Sequence, residues 1–201
     1  EGVDAALIGQ RVATNGQWGG NAEFAAVNAT SLVSVPPDFD WKLASCFSTC
    51  AYTAWLLVHS AARVKADQWV VVHSAAGAVG SLVIQIAKSA GAQVIGLVGG
   101  EHKFEFVQQF GPDAVIDYLR DDWPDGVKAL TGGRGADVIF DGNAGDRAPM
   151  NLDAVAPLGH IIYLGASAGQ APPVPPSMLI GKSCSMSGFV QYFHQAISGG
   201  A

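Results

Sequence analysis

Charge is scarce in this chain, and basic charge scarcer still: 14% of the 201 residues are charged, with 11 Lys and Arg against 17 Asp and Glu and a net of −6. No basic tract stands out, which argues against general binding to nucleic acid or to an anionic membrane. Cysteine is nearly absent as well. Cys46, Cys50 and Cys184 are too few for a disulfide framework, so a reducing cytoplasm is the expected compartment. No apolar run approaches the roughly 20 residues of a membrane-spanning helix. The opening EGVDAALIGQ has neither the basic nor the hydrophobic region of a secretory signal. What the chain does have is apolar content, 49% of its residues, enough for a substantial core and typical of a soluble enzyme domain.

The run VVVHSAAGAVGSLVIQIAKSAGAQVIGLVGG, residues 70–100, carries the most information. Trp69 to His73 is a short β-branched and aromatic run, the pattern of a parallel strand covered on both faces. Small residues then take over through Ala75, Ala76, Gly77, Ala78, Val79 and Gly80. Ala75, Gly77 and Gly80 occupy the three special positions of a dinucleotide-binding turn, where lack of bulk permits a tight bend, close approach of a pyrophosphate and close helix-on-strand packing. The first of these is Ala rather than Gly. From Ala78 the pattern turns helical, with Val79, Leu82, Val83, Ile86, Ala87 and Ala90 on one stripe, and it ends at Gly91. A diphosphate at that helix N-terminus would meet unpaired N–H groups and the positive end of the helix dipole. Val94 to Val98 returns as a second strand. A lone Gly-rich hexamer is more often a plain turn; the strand, helix and strand around this one identify a phosphate-binding βαβ unit.

About 20 residues past such a turn an NAD site usually holds Asp or Glu for the ribose 2′-hydroxyl. Here those positions are Gly99 and Gly100. Glu101 follows, in a context where a negative charge would favour a helix dipole. Lys103 could meet a 2′-phosphate, although a solvated helix lysine is the more common reason for any single Lys. NADP(H) is therefore the expected cofactor in preference to NAD.

The alternation continues. Helices are predicted over residues 101–110, 123–130 and 147–156, and strands over 114–117, 137–140, 161–164 and 183–187. Six strands with intervening helices predict an α/β fold with a doubly wound parallel sheet, whose ligands gather at the strand carboxyl ends, near Ser74, Val98, Tyr118, Asp141 and Gly165. The proline-rich tract from Ala171 to Pro176 reads as a stiff loop. Residues before about Val64 follow other rules: 11–14, 22–27 and 32–35 read as short strands or barrel-edge segments, and 41–59 as a helix.

Taken in order, GQRVATNGQWGGNAEFAAV, TAWLLVHSAARVKADQWVVVHSAAGAVG, AVAPLGHIIYLG and GKSCSMSGF resemble the medium-chain dehydrogenase/reductase superfamily, and within it the zinc-independent quinone oxidoreductase branch. The resemblance covers essentially the whole chain, and Ala75 at the first turn position is at home in that branch. It implies a GroES-like catalytic domain joined to a Rossmann domain, with NADPH between them. Residues 1–63 would be a remnant of the former with a connecting helix, and 64–201 the dinucleotide-binding domain. A chain of this family would be expected to begin earlier and continue past Ala201.

The resemblance also implies roles. Tyr118 and Lys103 would lie beside the adenosine 2′-phosphate; for Tyr118 the alternative is an aromatic packing against a helix. Asn143, Ala144, Leu164, Gly165 and Ala166 would line the nicotinamide half. Thr53 would lie near the nicotinamide and is the candidate catalytic donor, against the alternative of a helical Thr bonding its own backbone. The last strand would pair across a two-fold axis, giving a homodimer. Zinc-dependent relatives carry a Cys near the helix of Cys50, but Cys46 and Cys50 have no nearby His and no second Cys pair, so both read as buried small hydrophobes and no metal is expected. His73 matches a His common in that branch and reads as structural. His59, His102, His160 and His194 show no Ser, Cys or carboxylate spacing that suggests nucleophilic catalysis.

The expected activity is thus an NADPH-dependent reductase of quinones or α,β-unsaturated carbonyl compounds that works without metal. Alternatives are a zinc-type alcohol dehydrogenase, the enoyl reductase of a larger synthase or, in another class, a non-catalytic NADP-binding structural module.

Overall fold

Val70, Val71 and Val72 are all buried, which is possible only for a strand with a helical layer on each face. That strand is central to the computed structural model, which describes residues 3–14 and 19–198; residues 15–18 of the GQRVATNGQWGGNAEFAAV stretch lie outside the described residues. Two compact units emerge, Glu1–Thr53 and Ala54–Ala201.

In the first unit β1 (Val12–Ala13) pairs antiparallel with β2 (Val33–Ser34). Residues 22–27, expected as a strand, form none: bends at 21–23 lead into irregular chain. The alternation there is short, and among the described residues no partner strand takes up its backbone groups. Helix α1 (Trp41–Leu56) starts at Asp40, whose Oδ1 accepts from the N–H groups of Lys42 and Leu43 at 2.7 and 3.2 Å. It runs through the division between the units and closes in a π-helical turn, Leu57–Ala61.

The second unit contains β3 (Trp69–Val72), α2 (Ala78–Ser89), β4 (Gln93–Val98), α3 (Phe104–Gln108), β5 (Ala114–Asp117), α4 (Trp123–Leu130), β6 (Ala136–Asp141), α5 (Asn151–Ala154), β7 (Val155–Tyr163), α6 (Pro176–Ile180), β8 (Ser185–Gly188) and α7 (Gln191–Ser198). Its six strands are all parallel in the order β5-β4-β3-β6-β7-β8. This is the doubly wound Rossmann order, and the direction of winding reverses between β3 and β6. One face of the sheet buries Val71, Ile95, Leu97, Ile139 and Ile161 with Trp123, Val127 and Leu152. On the other face α2 contributes Val83, Ile84 and Ala87.

The predicted helix over 147–156 is shorter than expected. A 3₁₀ turn over Ala148–Met150 leads into α5, and from Val155 the chain is already strand. Pro157 disfavours helical backbone at Ala156, and Lys182 Nζ takes the carbonyl of Val155 at 2.8 Å. The strand therefore begins six residues before its β-branched run does, with a register shift between Ala136 and Val138.

Candidate functional site

The loop after β3 turns on Ser74, whose φ of +51° lies in the left-handed region. The strained position thus precedes Ala75, which is why the first turn residue need not be glycine. Ala75 is fully buried and donates its N–H to Leu97 O at 3.0 Å. Its methyl has room because Gly96 faces it across β4: a Cβ on Gly96 would lie 3.1 Å from that of Ala75. Gly77 caps α2 with no side-chain hydrogen bond, so the first N–H groups of the helix, beginning at Ala78 and Val79, are left uncapped by any side chain. Gly80 packs α2 onto the turn: a Cβ there would stand 2.9 Å from Ser74 C and 3.1 Å from Ala75 Cα. Ala76 is half-buried at the crest of the turn.

Beneath the turn lies a buried polar circuit. Asp141, at the end of β6 and 1% exposed, accepts at Oδ1 from the N–H groups of Asn143 and Ala144, at 2.7 and 3.0 Å. Its Oδ2 accepts from Asn151 Nδ2 at 2.7 Å, and Asn151 Oδ1 lies 2.8 Å from His73 Nε2. Asn143 Oδ1 accepts from the hydroxyls of Ser74 and Ser167. Burial pushes His73 below the ordinary imidazole value, against the opposing pull of the Asp141 charge and the Asn151 hydrogen bond. Its ring sits edge-on to Trp123, with centroids 5.4 Å apart, and tilted to Tyr118 at 6.0 Å.

Three cavities follow one another over the carboxyl ends of the strands. One of about 180 Å³ is lined by Ser74, Gly77, Gly80 and Leu164. His73 is shared with a second, of about 210 Å³, between Tyr118, Trp123, Asn143 and Arg147. Ala144 and Ala148 are shared with a third, of about 440 Å³, which reaches Gly165, Ala166 and Met186. The middle cavity has two buried donors without a protein partner in its lining residues, Trp123 Nε1 and Asn143 Nδ2. Such groups are costly unless a ligand or water meets them.

At the end of β4 a side chain in place of either glycine would press on its neighbours. A Cβ on Gly99 would be 3.0 Å from the Tyr118 hydroxyl, and one on Gly100, where φ is +109°, would be 2.7 Å from the His102 ring. Gly100 N–H donates to Asp117 Oδ1 at 3.0 Å. Lys103, half-buried, closes the 3₁₀ turn Glu101–Lys103 that follows.

Thr53 lies in α1, the last residue of the first unit. Cys46 corrects an expectation: it is exposed rather than buried, with Sγ directed to the carbonyls of Lys42 and Leu43. Burial, and then Cys46, push the Cys50 thiol up. Among the described residues no three His, Cys, Asp or Glu are grouped to hold a metal, so the side chains present do not fit a zinc site. Two histidines do find hydroxyls, His194 with Ser60 and His160 with Ser187. No helix among the described residues is long and apolar enough to cross a membrane.

Sequence reasoning placed Asp141 at a strand end without a role, took His73 as structural and missed Asn151, Trp123 and Ser167. A polar residue ending a buried strand was the available signal for Asp141; Asn151 carries no local signal at all.

The family described as zinc-binding dehydrogenase matches residues 78–199. A quinone oxidoreductase-like protein 2 homolog from Nematostella vectensis is 36% identical over 86% of this chain and 47% of its own length. A 2-haloacrylate reductase from a Burkholderia species is 33% identical over 86% of this chain and 53% of its own. A mycobacterial protein whose native structure is complexed with NADPH superposes with a TM-score of 0.77 at 31% identity, over 82% of this chain and 51% of that one. The chain spans about half the length of the curated relatives it matches.

Proposed function

Since this chain belongs to the zinc-binding dehydrogenase family of the medium-chain dehydrogenase/reductase superfamily, we propose that it binds NADPH and serves hydride transfer to a quinone or an α,β-unsaturated carbonyl compound. The carrying observation is the uncapped N-terminus of α2 over a turn that tolerates no Cβ at Gly80, in line with a β4 end that carries Gly99 and Gly100 in place of a carboxylate. The NADPH-complexed structural neighbour and the reductase relatives support the same reading.

When bound, NADPH supplies hydride from C4 of its nicotinamide to an electron-poor carbon. The amides of Ala78, Val79 and Gly80 hold the diphosphate without a basic side chain. Lys103 and Tyr118 take the 2′-phosphate, which a carboxylate at position 99 or 100 would repel. The unpartnered Nδ2 of Asn143 donates to an oxygen of the dinucleotide. Ala144, Leu164, Gly165 and Ala166 pack along the nicotinamide half and keep water from it. Thr53 donates a hydrogen bond to charge developing on the acceptor oxygen. The proposed transfer proceeds without zinc, in keeping with the lack of any grouping of three His, Cys, Asp or Glu among the described residues. The protein works in the cytoplasm as a homodimer.

Titration of the full-length protein with NADPH and NADH, followed by nicotinamide fluorescence, tests the cofactor reading. NADPH is expected to bind at least about tenfold tighter, equivalent to about 1.4 kcal/mol, and Lys103→Ala to erode most of that preference. A preference for NADH refutes it. Consumption of NADPH with a quinone or an enone tests the activity; binding without turnover across such a panel would favour the structural-module alternative.

A further inference from the structure

We propose that Asp141 is a positioning residue for the dinucleotide crevice: through Asn151 it holds His73 in the Nε2–H tautomer, and through its other oxygen it fixes the turn that sets Asn143 against Ser74. The inference rests on the NADPH reading only for what the crevice holds.

Asp141 Oδ1 is occupied by the two N–H groups of Asn143 and Ala144, and Oδ2 can only accept. The atom of Asn151 that lies 2.7 Å from Oδ2 must therefore be its Nδ2, since the reverse orientation would set two acceptors against each other. The same planar amide then presents Oδ1 to His73, 2.8 Å away, so the proton of that imidazole sits on Nε2. On the other side, Asn143 Oδ1 takes the Ser74 and Ser167 hydroxyls, which leaves Nδ2 as its unspent buried donor. Ser74 follows His73 directly, so the circuit closes.

It runs from His73 through Asn151, Asp141 and Asn143 to Ser74, and it ties the β3–α2 turn to the loop after β6. Those two segments are the walls of the crevice at the point where the sheet reverses its winding. Asp141 Oδ1 and Asn143 Oδ1 each accept twice, Asn151 Nδ2 also reaches the Tyr163 hydroxyl at 3.5 Å, and the buried side-chain donor left over, Asn143 Nδ2, belongs to a residue lining the cavity. One carboxylate thus decides which way the Asn151 amide and the His73 proton point, and it fixes the backbone turn that carries Asn143.

The full-length protein with ¹⁵N-labelled histidine provides the test. In wild type, His73 is expected to show a pyrrole-type Nε2 and a pyridine-type Nδ1. Asp141→Asn keeps an acceptor for the two backbone N–H groups but turns a donor toward Asn151. That amide must then flip, and the His73 proton is expected to move to Nδ1. With it, NADPH affinity is expected to fall about tenfold, while the far-UV spectrum and a cooperative melt are retained. His73→Gln, which keeps a donor, is expected to bind NADPH within about threefold of wild type, and His73→Leu to lose about tenfold.

A wild-type proton on Nδ1 overturns the proposal, as does an Asp141→Asn protein that keeps both tautomer and affinity. Should Asp141→Asn fail to fold, the wild-type tautomer and the contrast between His73→Gln and His73→Leu decide. A wild-type protein that shows the Nε2–H tautomer yet binds no NADPH overturns the cofactor reading and the crevice role, and leaves the polarity of the circuit standing.

Discussion

His73 carries a pH dependence whose sign follows from its burial. The folded protein holds this imidazole below its ordinary value of about 6.5, so between that value and the lower folded one the unfolded chain binds the extra proton and the native state does not. Stability from this group is complete above about pH 6.5 and is lost as the pH falls toward the folded value. His160 is displaced in the same direction by burial, so wild type alone would not isolate His73. The thermal midpoint is expected to drop between about pH 7 and about pH 5, and to drop less steeply in His73→Gln. Parallel profiles for the two proteins would dismiss the assignment. Asp113 acts in the same sense in a more acidic window: partial burial would raise its pKa, but Lys88 at 2.8 Å and the Val94 N–H hold it below its ordinary value, so its contribution too is lost as the pH falls. That pair is about one-third exposed, so solvent screening keeps its worth well under 1 kcal/mol.

Helix α2 and its turn fit together too closely for any added atom. At Gly80 a methyl would press on the backbone of Ser74 and Ala75, which cannot move without opening the phosphate turn. Gly80→Ala is expected to cost about 1–3 kcal/mol in urea unfolding and to weaken NADPH binding beyond that loss. Gly20→Ala, where nothing lies within 4 Å of the added carbon, is the control and is expected to be neutral. Equal effects at both positions would mean that close packing is not what Gly80 provides. The same tightness explains Ala75, because the methyl at that first turn position is matched by the missing side chain of Gly96 on the adjacent strand.

The sheet ends on β8, whose outer edge is open in a single chain, with Ser185 and Ser187 exposed. Unpaired strand edges invite pairing, and the proposed homodimer would close this one against its counterpart. Sedimentation of the full-length protein is expected to give a dimer, and lysines at Ser185 and Ser187 to shift it toward monomer by like-charge repulsion across the two-fold axis. A wild-type monomer would remove the proposal.

How much of this was legible beforehand depends on the range of the interaction. The buried β-branched run at Trp69–Val72, the 3.6-residue stripe of α2 and the small residues between them are local patterns, so the βαβ unit and the six-strand parallel sheet could be read from the chain. Periodicity misled where it was brief: residues 22–27 alternate without a partner strand, and the helix expected to reach Ala156 gives way at Val155 to a strand that Pro157 and Lys182 favour. The circuit at the site was beyond reach. His73 meets Asn151 across 78 residues and Ser74 meets Asn143 across 69, and neither pair leaves a mark in its own neighbourhood. By itself the sequence determined that a strand, a turn and a helix end would offer amides to a diphosphate, because those geometries follow from residue size and local spacing. Only the tertiary structure decided which buried donors and acceptors face one another there, because hydrogen-bond polarity is settled between partners that folding alone brings together.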